Sequence, residues 1–84
     1  MEYSDFDELT RVTIRGMYDR IPEEYHEDFE GLFQAGELRH AVDMLLGGLT
    51  RLQLEITPAE RDRLATLLQH LKEPESRLDS IVVA

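Results

Sequence analysis

Leu38, Val42, Leu45, Leu49 and Leu52 recur at alternating steps of four and three, and that spacing fixes the class of fold open to this chain. Such steps return to one side of a helix, whereas a half-buried strand alternates at every second residue. Ala41, Met44 and Leu46 widen the stripe. Residues 37–53 are therefore expected to form a helix with one broad face buried. Gly47-Gly48 is the anomaly, because each glycine costs about 1 kcal/mol relative to alanine inside a helix. Close approach by a neighbouring backbone is the expected reason; a kink and a role in binding are the alternatives.

Three other segments carry the same period. In residues 58–72, Leu64, Leu67, Leu68 and Leu71 make the stripe. Thr57-Pro58-Ala59-Glu60 opens it: Thr57 caps amides, Pro58 sits where no N–H is needed, and Glu60 completes a capping box. In residues 23–34, Tyr25, Phe29, Leu32 and Phe33 form the apolar face, after Pro22 and before Gly36, a natural left-handed stop. In residues 5–18, Phe6, Leu9, Thr13 and Met17 form a stripe broadened by Val12, Ile14 and Tyr18. Ser4 or Asp5 is the expected cap, with Asp7 and Glu8 placed to favour the helix dipole. Glu73-Pro74 ends the pattern, and residues 73–84 read as a flexible or short extended tail, with one further turn available at Ser76–Asp79.

Short connections make antiparallel neighbours. The expected architecture is a single all-α domain over residues 1–84: a compact four-helix domain with short loops and a short C-terminal tail. The two leucine-rich later helices are expected to form its central hairpin. Leu9, Phe29, Val42, Leu45, Leu49, Leu64, Leu67 and Leu68 are the expected core. An apolar fraction of 42% is enough for a modest core in 84 residues despite a net charge of −9. The absence of cysteine excludes disulfide and thiolate chemistry. No apolar run approaches the ~20 residues that cross a bilayer, and the acidic start lacks a signal-peptide core. A cytoplasmic protein with no membrane partner is expected; the oligomeric state is open.

Charge is unevenly spread. The first thirty residues hold ten acids and three arginines, a formal −7, and the rest adds −2. Phosphates would be repelled by such a surface, so no direct nucleic-acid binding is expected. Arg61, Arg63 and Lys72 do not reverse this, being interleaved with Glu60 and Asp62. Two readings of the acidity remain. One is solubility. The other is a face for a basic protein, where complementary charge speeds encounter and rejects wrong partners. On the second reading the contact residues are Glu23, Glu24, Glu27, Asp28 and Glu30, with Tyr25 as an aromatic anchor and Glu37 and Asp43 extending the face. Mimicry of nucleic acid by spaced carboxylates is a form of the same reading.

Catalytic chemistry finds little to stand on. Glu23-x-x-His26 has half of a di-metal motif, and no second copy occurs. His40 and His70 fall in other elements, and the serines, Ser4, Ser76 and Ser80, lie near the termini. Neither Gly31, Gly36 nor Gly47-Gly48 makes a phosphate loop. No catalytic residue, metal or cofactor is assigned.

The segment Phe33-Gln34-Ala35-Gly36-Glu37-Leu38-Arg39-His40-Ala41-Val42-Asp43-Met44-Leu45 resembles a signature of small bacterial immunity proteins, especially MafI-like ones: a helix end, Ala-Gly-Glu, then a helix with Ala-hydrophobic. Leu49 and Leu54-Glu55-Ile56-Thr57-Pro58-Ala59-Glu60 are similar to that family's link into a capped helix, and Leu64, Leu67 and Leu68 continue its hydrophobic pattern. The resemblance covers residues 22–72. It implies a compact helical protein, not an enzyme, that binds and neutralises a cognate toxin domain, such as a nuclease or a deaminase, by blocking its active site or substrate groove. It does not specify contact residues. An acidic interaction adaptor and a transcription-regulating antitoxin are the alternatives.

Overall fold

Four α-helices form where the apolar spacing calls for them: α1 (Tyr3–Arg15), α2 (His26–Gln34), α3 (Leu38–Arg51) and α4 (Pro58–Leu71). The computed structural model describes residues 1–84. Short 3-10 turns occupy Glu23–Tyr25 and Glu75–Leu78, and two strands, β1 (Glu55–Ile56) and β2 (Val82–Val83), pair in parallel. The chain is an all-α four-helix domain, and no helix is long and apolar enough to cross a membrane.

Local chemistry explains most boundaries. Glu60 N donates to Thr57 Oγ1 at 3.1 Å and Thr57 N to Glu60 Oε1 at 2.8 Å, which closes the capping box of α4. At the end of α2, Gly36 takes φ 72°, its N–H bonds to Phe33 O, and Glu37 N bonds to Leu32 O at 2.9 Å. That is a Schellman stop, and glycine adopts its left-handed position at little cost. α3 stops in the same way at Gln53 (φ 53°), with Leu54 N on Leu49 O.

Several expectations need correction. α1 begins at Tyr3, with Glu2 at its N-cap and no side-chain capping bond, so neither Ser4 nor Asp5 caps it. It ends at Arg15, where bonds to residues three back tighten the chain through Met17 and Tyr18. Its buried face is Phe6, Thr10, Thr13 and Ile14, continued by Met17; Leu9 is half-buried and Val12 is 58% exposed. The helix is rotated so that Thr10 turns inward, and its hydroxyl donates to Phe6 O at 2.7 Å, satisfying a buried polar group. The first turn expected for α2 is 3-10, with Tyr25 N on Pro22 O. Leu52, at the C-cap of α3, is 39% exposed.

The packing order also differs. α3 and α4 are not the central hairpin: the main contacts are α1 with α4, α2 with α3, and α1 with α3. The left-handed turn at Gln53 and extended β1 separate α3 from α4, and α1 bridges them. One core results, including Phe6, Phe33, Val42, Leu45, Leu64 and Leu67. The C-terminal segment returns to it. Leu78 and Ile81 are buried, β2 pairs Val82 with Glu55 and Val83 with Ile56, and Ala84 N bonds to Ile56 O at 2.8 Å.

One ion pair joins these parts. Arg20 Nη1 and Nη2 each lie 2.6 Å from a carboxylate oxygen of Glu60, a bidentate pair. The same guanidinium donates to Glu55 O at 3.2 Å and Gly16 O at 3.1 Å. Glu60 is 6% exposed and therefore needs this partner. The bond from Arg20, aided by Thr57 and opposed by burial, lowers the Glu60 pKa to about 2; the same bond raises that of Arg20.

Two outcomes follow from this packing. Leu45→Ala, at a 2% exposed site, should destabilise by about 2–5 kcal/mol in chemical denaturation; no measurable shift would remove Leu45 from the core. Glu60 has a folded pKa below its ordinary value of 4.5, so its contribution is complete above that pH and fades as pH falls toward about 2. Glu60→Gln keeps the cap but loses the charge. It should cost on the order of 2 kcal/mol at pH 7, and the difference from the parent protein should shrink between pH 4.5 and 2. A pH-independent difference would contradict the ion pair.

Candidate protein-binding face

The placement of α2 is set from α1. Arg15 Nε and Nη2 donate to the two Glu30 oxygens at 2.9 and 2.6 Å, and Tyr18 OH donates to Glu30 Oε2 at 2.8 Å. Arg11 Nη2 donates to Phe33 O at 3.0 Å, while its Nε bonds to Asp7 one turn earlier. The guanidinium carbons of Arg11 and Arg15 stand 5.6 and 5.2 Å from the Phe33 ring centroid, within cation–π range. The Arg15 bond holds the Glu30 carboxyl down at about 2, against the opposing effect of burial. Burial, then the bond to Glu30, raises the Tyr18 phenol, and Glu30 raises Arg15. His26 is part of the same joint: its ring stacks on Tyr18 at 4.0 Å and its Nε2 lies 2.8 Å from Ile21 O.

This joint divides the residues assigned to a binding face. Glu30 turns toward α1, and its charge is met internally by Arg15. Asp43 is likewise engaged, by Arg77 at 3.0 Å. Glu37 is exposed but sits at the N-cap of α3, at the opposite end of α2 from Glu23. Glu23, Glu24, Glu27 and Asp28 remain together around the start of α2, all exposed and none in an ion pair. Arg11, Arg15 and Arg20, the cations of the first thirty residues, are all engaged by carboxylates. Glu2, Asp5 and Glu8 are exposed and unpaired as well, on and before α1, while Glu23, Glu24, Glu27 and Asp28 are the free acids grouped on one short stretch.

Beside that stretch lies a groove of about 420 Å³ between the start of α2 and α3. Tyr25, Phe29, Met44, Gly48, Leu52 and Leu54 line it, with Asp28, Asp43 and Arg51 at its edges. Tyr25 is half-buried there. Gly47 and Gly48 need a different explanation from the expected one. A Cβ at either position would meet nothing within 4 Å, so no backbone approaches them, and α3 runs unbroken through both. Their missing side chains leave the groove open. The sequence carried this signal as an unexplained pair of glycines, but periodicity does not say which neighbour a helix face lacks.

The strongly displaced carboxyls, Glu30 and Glu60, are both fixed as carboxylates by arginine. No three His, Asp or Glu side chains converge as a metal-holding group. Neither a protein-family model, nor a curated protein, nor a solved structure gave a match to this chain.

The open site at Gly48 makes a direct test. Gly48→Ala should stabilise by about 0.5–1 kcal/mol, because alanine is the better helix former and its methyl meets open space. A lower denaturation midpoint would show that a neighbour packs against that glycine.

Proposed function

We propose that this chain is a non-catalytic inhibitor of the immunity type, which binds a basic bacterial toxin domain through its acidic face. The observation that carries this reading is the set Glu23, Glu24, Glu27 and Asp28: four exposed carboxylates on one short stretch without an internal cation. Solubility needs net charge but not its concentration beside a groove. A basic partner would supply the missing cations, and complementary charge would steer the encounter. The likeness of residues 22–72 to small immunity proteins gives the partner its class, a toxin domain such as a nuclease or deaminase. A surface that handles nucleic acid is itself basic, and carboxylates at phosphate-like positions would obstruct it. The inhibitor would act by covering the active site or substrate groove, with no cofactor of its own.

The test replaces Glu23, Glu24, Glu27 and Asp28 with lysine, and in parallel with Gln or Asn. The neutral set is included because acids favour a helix N-terminus and lysines there oppose it. A candidate toxin domain from the neighbouring locus is the binding probe, measured by calorimetry at low salt together with rescue of toxin-expressing cells. Both variants should keep the helical circular-dichroism spectrum. The lysine set should lose at least tenfold in affinity and lose rescue, and parent affinity should fall as salt rises. Unchanged affinity and rescue in the folded lysine variant would refute this face.

A further inference from the structure

We propose that the groove between α2 and α3 is an anchor pocket for one large apolar side chain of the basic partner, flanked in that partner by arginine or lysine. This rests on the binding-face reading and deepens it, since charge brings a partner in but does not hold it specifically. Interfaces are held by a few large side chains seated in pockets, within a rim that excludes water. The groove has the size and lining for that role. At about 420 Å³ it falls within the ~300–1,000 Å³ of ligand clefts, and Tyr25, Phe29, Met44 and Leu52 make its walls apolar. Leu52 is 39% exposed at the edge, apolar surface that an incoming side chain would cover. Met44 is a flexible wall able to adapt to the shape of its guest.

Charge chooses the occupant. On the α2 side, Asp28 lines the groove and has no ion-pair partner, and Glu24, four residues earlier, is also free. On the α3 side, Asp43 is met by Arg77, while Arg51 has no carboxylate partner. Asp43 and Arg51 are eight residues apart on α3, about 12 Å along the axis. The groove thus has a free carboxylate, Asp28, on its α2 side, with exposed Glu24 in the turn just before that helix, and a cation, Arg51, at the end of α3. A segment with cations on the α2 side and an acceptor toward Arg51 matches that pattern. A second copy of this chain does not, because its net charge of −9 opposes the approach of two such acidic faces. Gly47 and Gly48 gain a role in this account: a side chain at Gly48 would occupy the volume the anchor needs.

Blocked nine-residue peptides test this without knowledge of the partner: one with a central Phe flanked by arginines, one with Ala in place of Phe, and one with Phe flanked by glutamates. Each is titrated into the ¹⁵N-labelled full chain and followed by amide shifts. The arginine–Phe peptide should move Gly47, Gly48 and Leu52 as well as the Glu23–Asp28 amides, and bind at least tenfold more tightly than the Ala peptide. Gly48→Leu, which fills the groove, should remove that advantage; Leu52→Glu provides a second variant should the first distort α3. Equal binding of the Phe and Ala peptides, with Gly47 and Gly48 unmoved, would overturn the pocket. If the Glu23–Asp28 amides still shift in that case, the acidic face stands without an anchor; if they do not, the face fails too. Equal binding of the glutamate-flanked peptide would overturn the choice of a basic segment. Groove shifts that depend on protein concentration alone would assign the groove to a second copy.

Discussion

The Arg20–Glu60 pair holds the parts of this domain in register. Glu60 caps α4 and is buried, so its charge has to be met within the protein. Arg20 meets it from the turn after α1 and also donates to the carbonyls of Gly16 and Glu55. The end of α1, strand β1 and the start of α4 are thereby tied to one guanidinium. The chain next reaches Ile21 and Pro22, so this tie also sets where the wall of the groove begins. Such a pair adds little net stability when compared with apolar packing, but losing one member leaves an uncompensated charge. Its main effect here is positional.

A second set of contacts acts on α2. Arg15 and Tyr18 grip Glu30, and Arg11 holds Phe33 O, so one side of α2 is fixed against α1. Glu23, Glu24, Glu27 and Asp28, around the start of the helix, take no part in that joint and stay exposed. Arg11 and Arg15 thus orient the helix and are consumed in doing so. What faces outward is acid without counter-charge, next to a groove kept open by two glycines. Fold and candidate function share one cause: the internal ion pairs decide which carboxylates are left over.

The helices were legible because their signals are local. Leucine spacing marked α3 and α4, Thr57 and Glu60 announced the capping box, and Gly36 marked the stop of α2. Relations between distant residues were not legible. Arg20 and Glu60 are forty positions apart, and nothing in either neighbourhood names the other. For the same reason the parallel pairing of Val82–Val83 with Glu55–Ile56 and the bridging position of α1 escaped a reading by period. Within the candidate face, the exposed positions of Glu23, Glu24, Glu27 and Asp28 agree with a charged helix surface, whereas Glu30 and Asp43 look identical to them in sequence and differ only by a partner from elsewhere in the chain.

The central claim concerns which carboxylates a partner covers, and carbodiimide labelling of the protein free and in complex with the proposed partner, a basic toxin domain, reads that directly. Labelling at Glu23, Glu24, Glu27 and Asp28 should fall in the complex, whereas exposed Asp5, Glu8, Asp62 and Asp79 on other parts of the surface should label as before. Protection of the latter group with no change at the start of α2 would contradict the account.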